Sequence, residues 1–416
     1  MNVVVVGNGF REHALARACQ ASPMVDRVVV SPGNAGMAED VECVEARDVT
    51  AVSTLAKDLH ALVLIGPEAP LAAGWADHLR HEGLLVCGPS AAAAELESSK
   101  VGAKTLMERL GVPTARAQVV ASAAEADRVL SDWQGPVVVK ADGLAAGKGV
   151  LVTEDPRAAR DAVRQLMGDP RFETAAARVL LEERLFGPEL SAMALTDGRR
   201  LAWLPATQDY KRVGDGDRGP NTGGMGAVGP HAQWTPRLAD WLADRVFMPV
   251  VDELARQGRP FAGVLYAGLM MTADGPRVLE WNVRLGDPEA AVALALVTDD
   301  LMPYWLGAAT GELPSRSPAW SGAAVAVVMA ASGYPDRSVA GARVSYPAAS
   351  GVVMLHAGTQ RDAEGHLVSG GGRTLLAVAS ADNVPTARHR VYNQVSEVQF
   401  AEMVVRSDIA GEYCCS

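Results

Sequence analysis

The chain has 416 residues, 49% hydrophobic and 21% charged, with a formal net charge of −11. That length allows two to four domains with cores of their own, and the balance is that of a soluble globular protein. The acidic excess, with no basic block against it, argues against non-specific nucleic-acid binding, and no run of roughly 18 uninterrupted apolar residues offers a membrane span. The cysteines (Cys19, Cys43, Cys87, Cys414 and Cys415) show no C-x-x-C spacing. The first three lie in apolar segments and read as small core residues of a reduced, cytoplasmic protein. The first apolar run is short and strand-like, unlike a signal peptide.

Residues 3–6 predict a buried strand, Gly7-Asn8-Gly9-Phe10-Arg11 a turn, and 12–21 a helix. Strand, glycine turn and helix N-terminus form an anion site by geometry and dipole. Strands at 27–30, 62–65 and 84–87 alternate with helices at 52–59 and 75–81, which predicts a doubly wound parallel sheet with ligands at the C-terminal strand ends. That edge collects Gly9, Arg11, Asn34 and Glu68, although Asn34 and Glu68 equally suit turn caps. Ser90 caps a predicted helix over 91–110 that carries Lys100, and Gly111-Val112-Pro113 stops it.

The segment 137–152 reads as strand, small-residue loop, strand. Val137–Val139 lead into Lys140; Gly143, Ala145, Ala146, Gly147 and Gly149 follow, with Lys148 among them. Small residues let backbone N–H groups approach oxygen atoms, so the layout is that of a flap closing over phosphates, with Lys140 and Lys148 supplying charge. A plain hairpin with two surface lysines has the same pattern. The segment is neither a Walker A loop nor a G-x-G-x-x-G turn. Helices at 123–130 and 158–167 and a strand at 179–181 complete this small unit, and the strand runs into Glu182-Glu183-Arg184-Leu185.

Residues 208–227 are rich in Gly, Asp, Lys and Arg, and loops of that length inside a domain are usually functional. A helix near 238–257 and a strand at 263–271 precede Val278 to Glu289, VLEWNVRLGDPE. There period 2 puts Glu280, Asn282 and Arg284 on one face. A carboxylate with an amide oxygen suits Mg2+ on nucleotide phosphates, and Arg284 suits a carboxylate or developing phosphoryl charge. A half-exposed strand with a polar face is the plain alternative. Asp287 and Glu289 open a helix to 296, where acids are also favoured by the dipole. Strands at 323–330, 352–356 and 375–379 mark a third sheet-bearing unit; the state of Val391 is open. His356 ends one of these strands.

Dispersed motifs in order carry a resemblance over nearly the whole chain: GNGFREHALA from Gly7, PGNAG from Pro32, GPEAPL from Gly66, KADGLAAGKGV from Lys140, QDYKRVGDGDRGPNTGGMGA from Gln208, GVLYAGLM from Gly263, EWNVRLGDPE from Glu280, HAGT from His356 and GGR from Gly371. The chain resembles the ATP-grasp ligases and, within them, the glycinamide ribonucleotide synthetase family. The resemblance implies an α/β chain: an N-terminal substrate domain (1–98), an ATP-grasp lid (99–190), a central α+β domain (191–320) and a C-terminal sheet domain (321–416). It implies ATP-dependent joining of glycine to 5-phosphoribosylamine through an acyl phosphate, with ATP and Mg2+ or Mn2+. Phosphoribosylamine would be held by Gly9, Arg11, Glu12, Asn34 and Glu68, with Asp287, His356 and Arg373 closing over it. Lys100, Lys140, Lys148 and Lys211 would meet the nucleotide phosphates; Glu182, Glu183 and Leu185 would meet adenine, and Glu189 the ribose. Asp209, Arg212 and Asn221 would contact glycine or nucleotide; Glu280 and Asn282 would hold the metal; Arg284, Lys140 and Lys148 would act in catalysis. Only small molecules are implied as partners, with no nucleic acid or membrane, and the state is a monomer or weak homodimer.

Phe10 stands where the family usually has glycine, Tyr210 where it has His, Ala290-Ala291 where Thr-Gln is common, and Arg406 to Ala410 (RSDIA) lacks the usual final glycine. These departures are expected near the substrate side. A paralogous ligase for another amino acid or phosphorylated amine, or a non-catalytic nucleotide-binding homologue, are the alternatives. For Phe10 the expectation is φ below zero with the ring packed away from the site, because φ above zero would cost roughly 1–2 kcal/mol.

Overall fold

The strand Asn2–Gly7, whose valines are fully buried, is the centre of a five-stranded parallel sheet. The order is Glu42–Cys43, Arg27–Pro32, Asn2–Gly7, Ala61–Ile65 and Val86–Cys87, as the alternation of strands and helices predicts. The computed structural model describes residues 1–144, 149–172, 175–348 and 351–414. Lys148, Ala145, Ala146, Gly147 and Cys415 therefore lie outside the described residues. Helix Phe10–Gln20 begins two residues earlier than expected, since Glu12 reaches back to accept from Gly9 N at 2.6 Å and so fixes the first turn.

The helix expected over 91–110 is two helices, Ala91–Ser98 and Lys100–Leu110, broken at extended Ser99. The break is set from outside. Asp142 at the end of a lid strand accepts from Ser99 Oγ (3.0 Å) and Val101 N (2.8 Å), and its backbone carbonyl accepts from Lys100 N. The lid itself is a four-stranded antiparallel sheet, Ala117–Val120, Val179–Glu183, Val137–Ala141 and Val150–Thr153, with helices Ala123–Ser131 and Pro156–Gly168 supplying the apolar side of its core.

The central sheet is antiparallel: Leu201–Trp203, Glu189–Thr196, Gly263–Thr272 and Gly275–Asn282. The helix expected over 238–257 runs as Pro236–Leu242, a π turn Ala243–Phe247, and Met248–Arg256. Pro249 has no N–H for the carbonyl four residues back, and the wider turn absorbs the mismatch.

The expected loop 208–227 contains four short strands: Gln208–Asp209, Arg212–Gly214, Arg218–Asn221 and Gly226–Gly229. The inner two form a hairpin. The outer two join Ala323–Ala330, Arg373–Ala381 and Val352–His356 in one sheet, so a segment expected in the central domain pairs with the C-terminal one. Val391 lies in helix Val384–Glu397. Among the described residues no helix is long and apolar enough to cross a membrane.

Candidate active site

Trp281 and Val283 are buried in the core beneath strand Gly275–Asn282, which turns Glu280, Asn282 and Arg284 to the opposite side. Among the described residues neither Glu280 nor the Asn282 carboxamide makes a side-chain hydrogen bond or ion pair. Burial would push the Glu280 carboxyl up, but Lys211, Lys140, Lys100 and Arg284 outweigh it and hold it below the ordinary carboxylate range. An ionised carboxylate and a free amide oxygen on one face, ringed by cations, fit a divalent cation carrying phosphate. Lys100 is itself pulled below the usual lysine range, by burial first, with Glu280 opposing.

Lys140, expected to supply charge to phosphates, is 6% exposed. Its Nζ lies 2.6 Å from Glu182 Oε2 and donates to Leu279 O at 2.8 Å, the residue before Glu280. Lys104, one helical turn beyond Lys100 and missed in the sequence, sits 2.7 Å from the other Glu182 oxygen and donates to Thr114 Oγ1 and Ala115 O. Its i, i+4 relation to Lys100 was the available signal. Burial opposes ionisation of Glu182, yet Lys140 and Lys104 hold its carboxyl below the usual range. The Glu182 carboxylate is therefore committed to two lysines rather than to adenine. Glu183 likewise accepts from Arg116 N at 2.8 Å, and the backbone N–H groups of Glu183 and Arg184 donate to Arg116 O and Pro136 O, so of this stretch only the backbone N–H of half-buried Leu185 has no partner among the described residues.

Lys211 pairs with Glu189, and its Nζ is 3.8 Å from Asp209 Oδ1, a buried oxygen without a hydrogen-bond partner. Burial raises the Asp209 carboxyl, against the pull of Lys211, while Asp209, Glu189 and Glu280 overcome burial to raise Lys211. Glu289 is more than a helix-dipole acid: Tyr266 Oη donates to its Oε1 at 2.7 Å and lies 2.8 Å from Ser191 Oγ.

At the end of the parallel sheet Arg284 bridges Glu68 (3.2 Å) and Glu97 (2.8 Å), and Glu97 also accepts from Val283 N. Glu97, like Lys104, went unread, being one of two acids in an alanine-rich helix. Burial opposes ionisation of Glu68, but Arg284 and Arg11 bring it below its usual range; burial raises Glu97 despite Arg284. Arg11 donates to Glu12 (2.5 Å) and Leu285 O (3.1 Å). Glu12 fills the space between three glycines: a Cβ at Gly66 would fall 2.0 Å from Glu12 Oε1, and one at Gly7 2.4 Å from its Cγ. Glu12 therefore builds the turn from beneath. Its backbone-capping and Arg11 contacts leave it as a support.

Two further expectations change. The Asn34 carboxamide donates to Asn8 O and His356 O and accepts from Gly36 N, Met37 N and Thr359 Oγ1, so it is used up inside the protein as a turn cap. His356 is 2% exposed; its Nε2 lies 2.6 Å from Tyr346 Oη, its backbone N donates to His13 Nδ1, and its ring packs on Gly36. It joins the two end domains, with its Nδ1 buried and without a hydrogen-bond partner among the described residues. Arg373 pairs with Asp287 at 3.0 Å and donates to Gly223 O and to Asp287 O. Arg212 and Asn221, on the hairpin, line a cavity of about 280 Å³ whose other wall is lid residues Val150–Val152.

The departures from the family pattern at residues 10, 210, 290 and 291 are buried in the protein's cores. Phe10 is the first residue of its helix, has no positive φ, and is fully buried with Ala14, Met225 and Val292, the Arg373 guanidinium 5.5 Å above its ring. Tyr210 is buried, its Oη donating to Glu412 at 2.5 Å and accepting from Ala410 N. Ala290 and Ala291 are 0% and 3% exposed.

Family models described as Phosphoribosylglycinamide synthetase match this chain in three parts: the N domain over residues 1–97, the ATP-grasp (A) domain over 98–290 and the C domain over 324–412. The chain is 45% identical to the phosphoribosylamine–glycine ligase of Phenylobacterium zucineum, covering 98% of each, and 45% identical to that of Streptomyces coelicolor, covering 99% of each. The crystal structure of phosphoribosylamine–glycine ligase from Thermotoga maritima superposes with a TM-score of 0.87 at 33% identity, over 99% of this chain and 100% of that one.

Proposed function

The chain belongs to the phosphoribosylglycinamide synthetase family, and from that membership and the charges around Glu280 we infer that it joins glycine to phosphoribosylamine with ATP. It is an ATP-grasp ligase forming a C–N bond, and its product, glycinamide ribonucleotide, belongs to purine synthesis. A carboxylate and an amine do not condense unaided in water. The γ-phosphoryl of ATP passes to a glycine carboxylate oxygen with loss of ADP; the amine nitrogen then attacks the carbonyl carbon, phosphate leaves, and the nitrogen loses a proton. Such transfer asks for positioning and charge neutralisation more than covalent help.

The observation that carries this reading is the unengaged Glu280 carboxylate among Lys211, Lys140, Lys100 and Arg284. Lys100, Lys140 and Lys211 meet phosphate oxygens, Glu189 the ribose, and the backbone at Leu185 the adenine. A magnesium or manganese ion held by Glu280 and Asn282 would screen the phosphate oxygens from one another. Arg284 takes the glycine carboxylate and the charge developing on it, lying between the Glu280 face and Glu68 at the parallel-sheet edge. Glu68, Arg11 and Gly9 face the phosphoribosylamine, with Asp287 and Arg373 behind them. Asp209, Arg212 and Asn221 contact the amino acid, and lid closure keeps water from the acyl phosphate.

The test is coupled ADP release. Turnover should require the divalent cation, glycine and phosphoribosylamine together. Protein that binds ATP but turns over with no amino acid and amine pair would overturn the reading.

A further inference from the structure

Among the described residues the strands of the hairpin Arg212–Asn221 pair only with each other, and its one apolar anchor is Val213, packed against the cluster of Phe10 and Met225, so its orientation is left to polar contacts. What fixes it comes from the distant segment 406–408. Arg406 is 1% exposed and is the largest fully buried side chain among the described residues. Its NH1 donates to Arg212 O at 3.1 Å and lies 2.7 Å from Asp217 Oδ1 at the hairpin tip, while Nε and NH2 each meet Asp408 at 2.7 Å. The same guanidinium lies 5.1 Å over the ring of Tyr210, just before the hairpin. Asp408 Oδ2 accepts from Gly216 N at 2.8 Å, and Ser407 N and Oγ both donate to Asp215. Asp217 is held at φ 53, beside Gly216 at φ 66. Tyr210 is clamped in turn by Ala410 N and Glu412.

Charge-assisted, forked contacts of this kind fix orientation as well as distance. We propose that Arg406, with Asp408 and Tyr210, is a positioning unit that holds the hairpin so that Arg212 and Asn221 face the lid strand Val150–Thr153, and thereby sets the affinity for the amino acid. Two departures from the family pattern, Tyr210 and Ala410 at the end of 406–410, belong on this view to one device, because Ala410 N donates to Tyr210 Oη at 2.9 Å. The proposal rests on the reading of Arg212 and Asn221 as amino-acid contacts.

Steady-state kinetics of the full chain test it. Asp217→Gly, which keeps the left-handed backbone and removes the tip carboxylate, and Asp408→Asn should each raise KM for glycine about tenfold or more, with KM for ATP within about threefold. Arg406→Ala should do more, Arg406→Lys less, and hydrogen exchange across 212–221 should rise in the same order. Asp217→Gly and Asp408→Asn decide the matter should Arg406→Ala fail to fold. Unchanged glycine KM in both, with lowered melting temperature alone, would make the contact purely structural and overturn the proposal. Arg212→Ala separates the two ideas: if it leaves glycine KM unchanged, the amino-acid reading of the hairpin fails; if it raises KM while the latch variants do not, the latch fails.

Discussion

Lys140 and Glu182 sit one diagonal step apart on neighbouring antiparallel strands, Val138 facing Glu182 and Lys140 facing Leu180, and their side chains meet at 2.6 Å. A residue read as a phosphate ligand is thus also half of a buried ion pair, and its replacement has two consequences that can be separated. Lys140→Met should reduce kcat/KM for ATP by about a hundredfold or more and also destabilise the lid by about 2–4 kcal/mol, since Glu182 keeps only Lys104. Adding Glu182→Gln should recover most of the melting temperature and none of the activity. Recovery of both would make Lys140 structural.

Among the described residues Glu280 has no such partner. Glu280→Gln should lower kcat by orders of magnitude, an effect of several kcal/mol on the transition state, with an unchanged circular dichroism spectrum. Near wild-type turnover at saturating magnesium would remove Glu280 from the metal site.

Phe10 is expected to report on packing. Phe10→Ala empties a fully buried site and should cost about 3–5 kcal/mol of stability, seen as a lower melting temperature. For molecules that remain folded, kcat/KM for phosphoribosylamine should stay within about tenfold, or 1.4 kcal/mol. A gain of activity in Phe10→Gly would instead mean that the ring obstructs the amine.

Acid should loosen the joint between the first and last domains. Burial, followed by the nearby His13, pushes His356 from its ordinary 6.5 down to about 4, and burial does the same to His231. Each is neutral in the folded chain while the unfolded chain takes up a proton below 6.5. Their stabilising effect is therefore complete above pH 6.5 and lost as pH falls toward 4, at up to about 1.4 kcal/mol per pH unit for each. Melting temperatures taken from pH 7 to 4.5 should fall less steeply for His356→Gln than for the parent chain. Parallel curves would show that His356 does not drive the loss.

The parallel sheet, the lid and the strand bearing Glu280 were legible because valine runs, glycine turns and period 2 are local signals. The break at Ser99 was not, because its cause is Asp142, brought in from 43 residues away. The strands within 208–229 were hidden by turn-rich composition: Gly226–Gly229 is a strand because it pairs with Ala323–Ala330, and Gln208–Asp209 because it pairs with Gly226–Gly229 in turn. Lys104 and Glu97 look like surface charges until a second strand or helix covers them. Asn34 kept the residue type of a ligand site while its neighbours in space had already claimed its carboxamide, and His356 Nε2 is likewise taken by Tyr346.

The shared sheet has a consequence for dissecting the chain. Gly226–Gly229 is hydrogen-bonded on one side to Gln208–Asp209 and on the other to Ala323–Ala330. A fragment cut at the apparent boundary near residue 320 would carry a bare strand edge, and Phe10, Ala14, Met225 and Val292 would lose the apolar wall supplied by Ala324, Ala326 and Val328. Open edges beside uncovered apolar surface recruit other chains. The catalytic portion is therefore not a detachable module, and shortened versions should be insoluble unless the C-terminal strands are co-expressed to complete the sheet in trans.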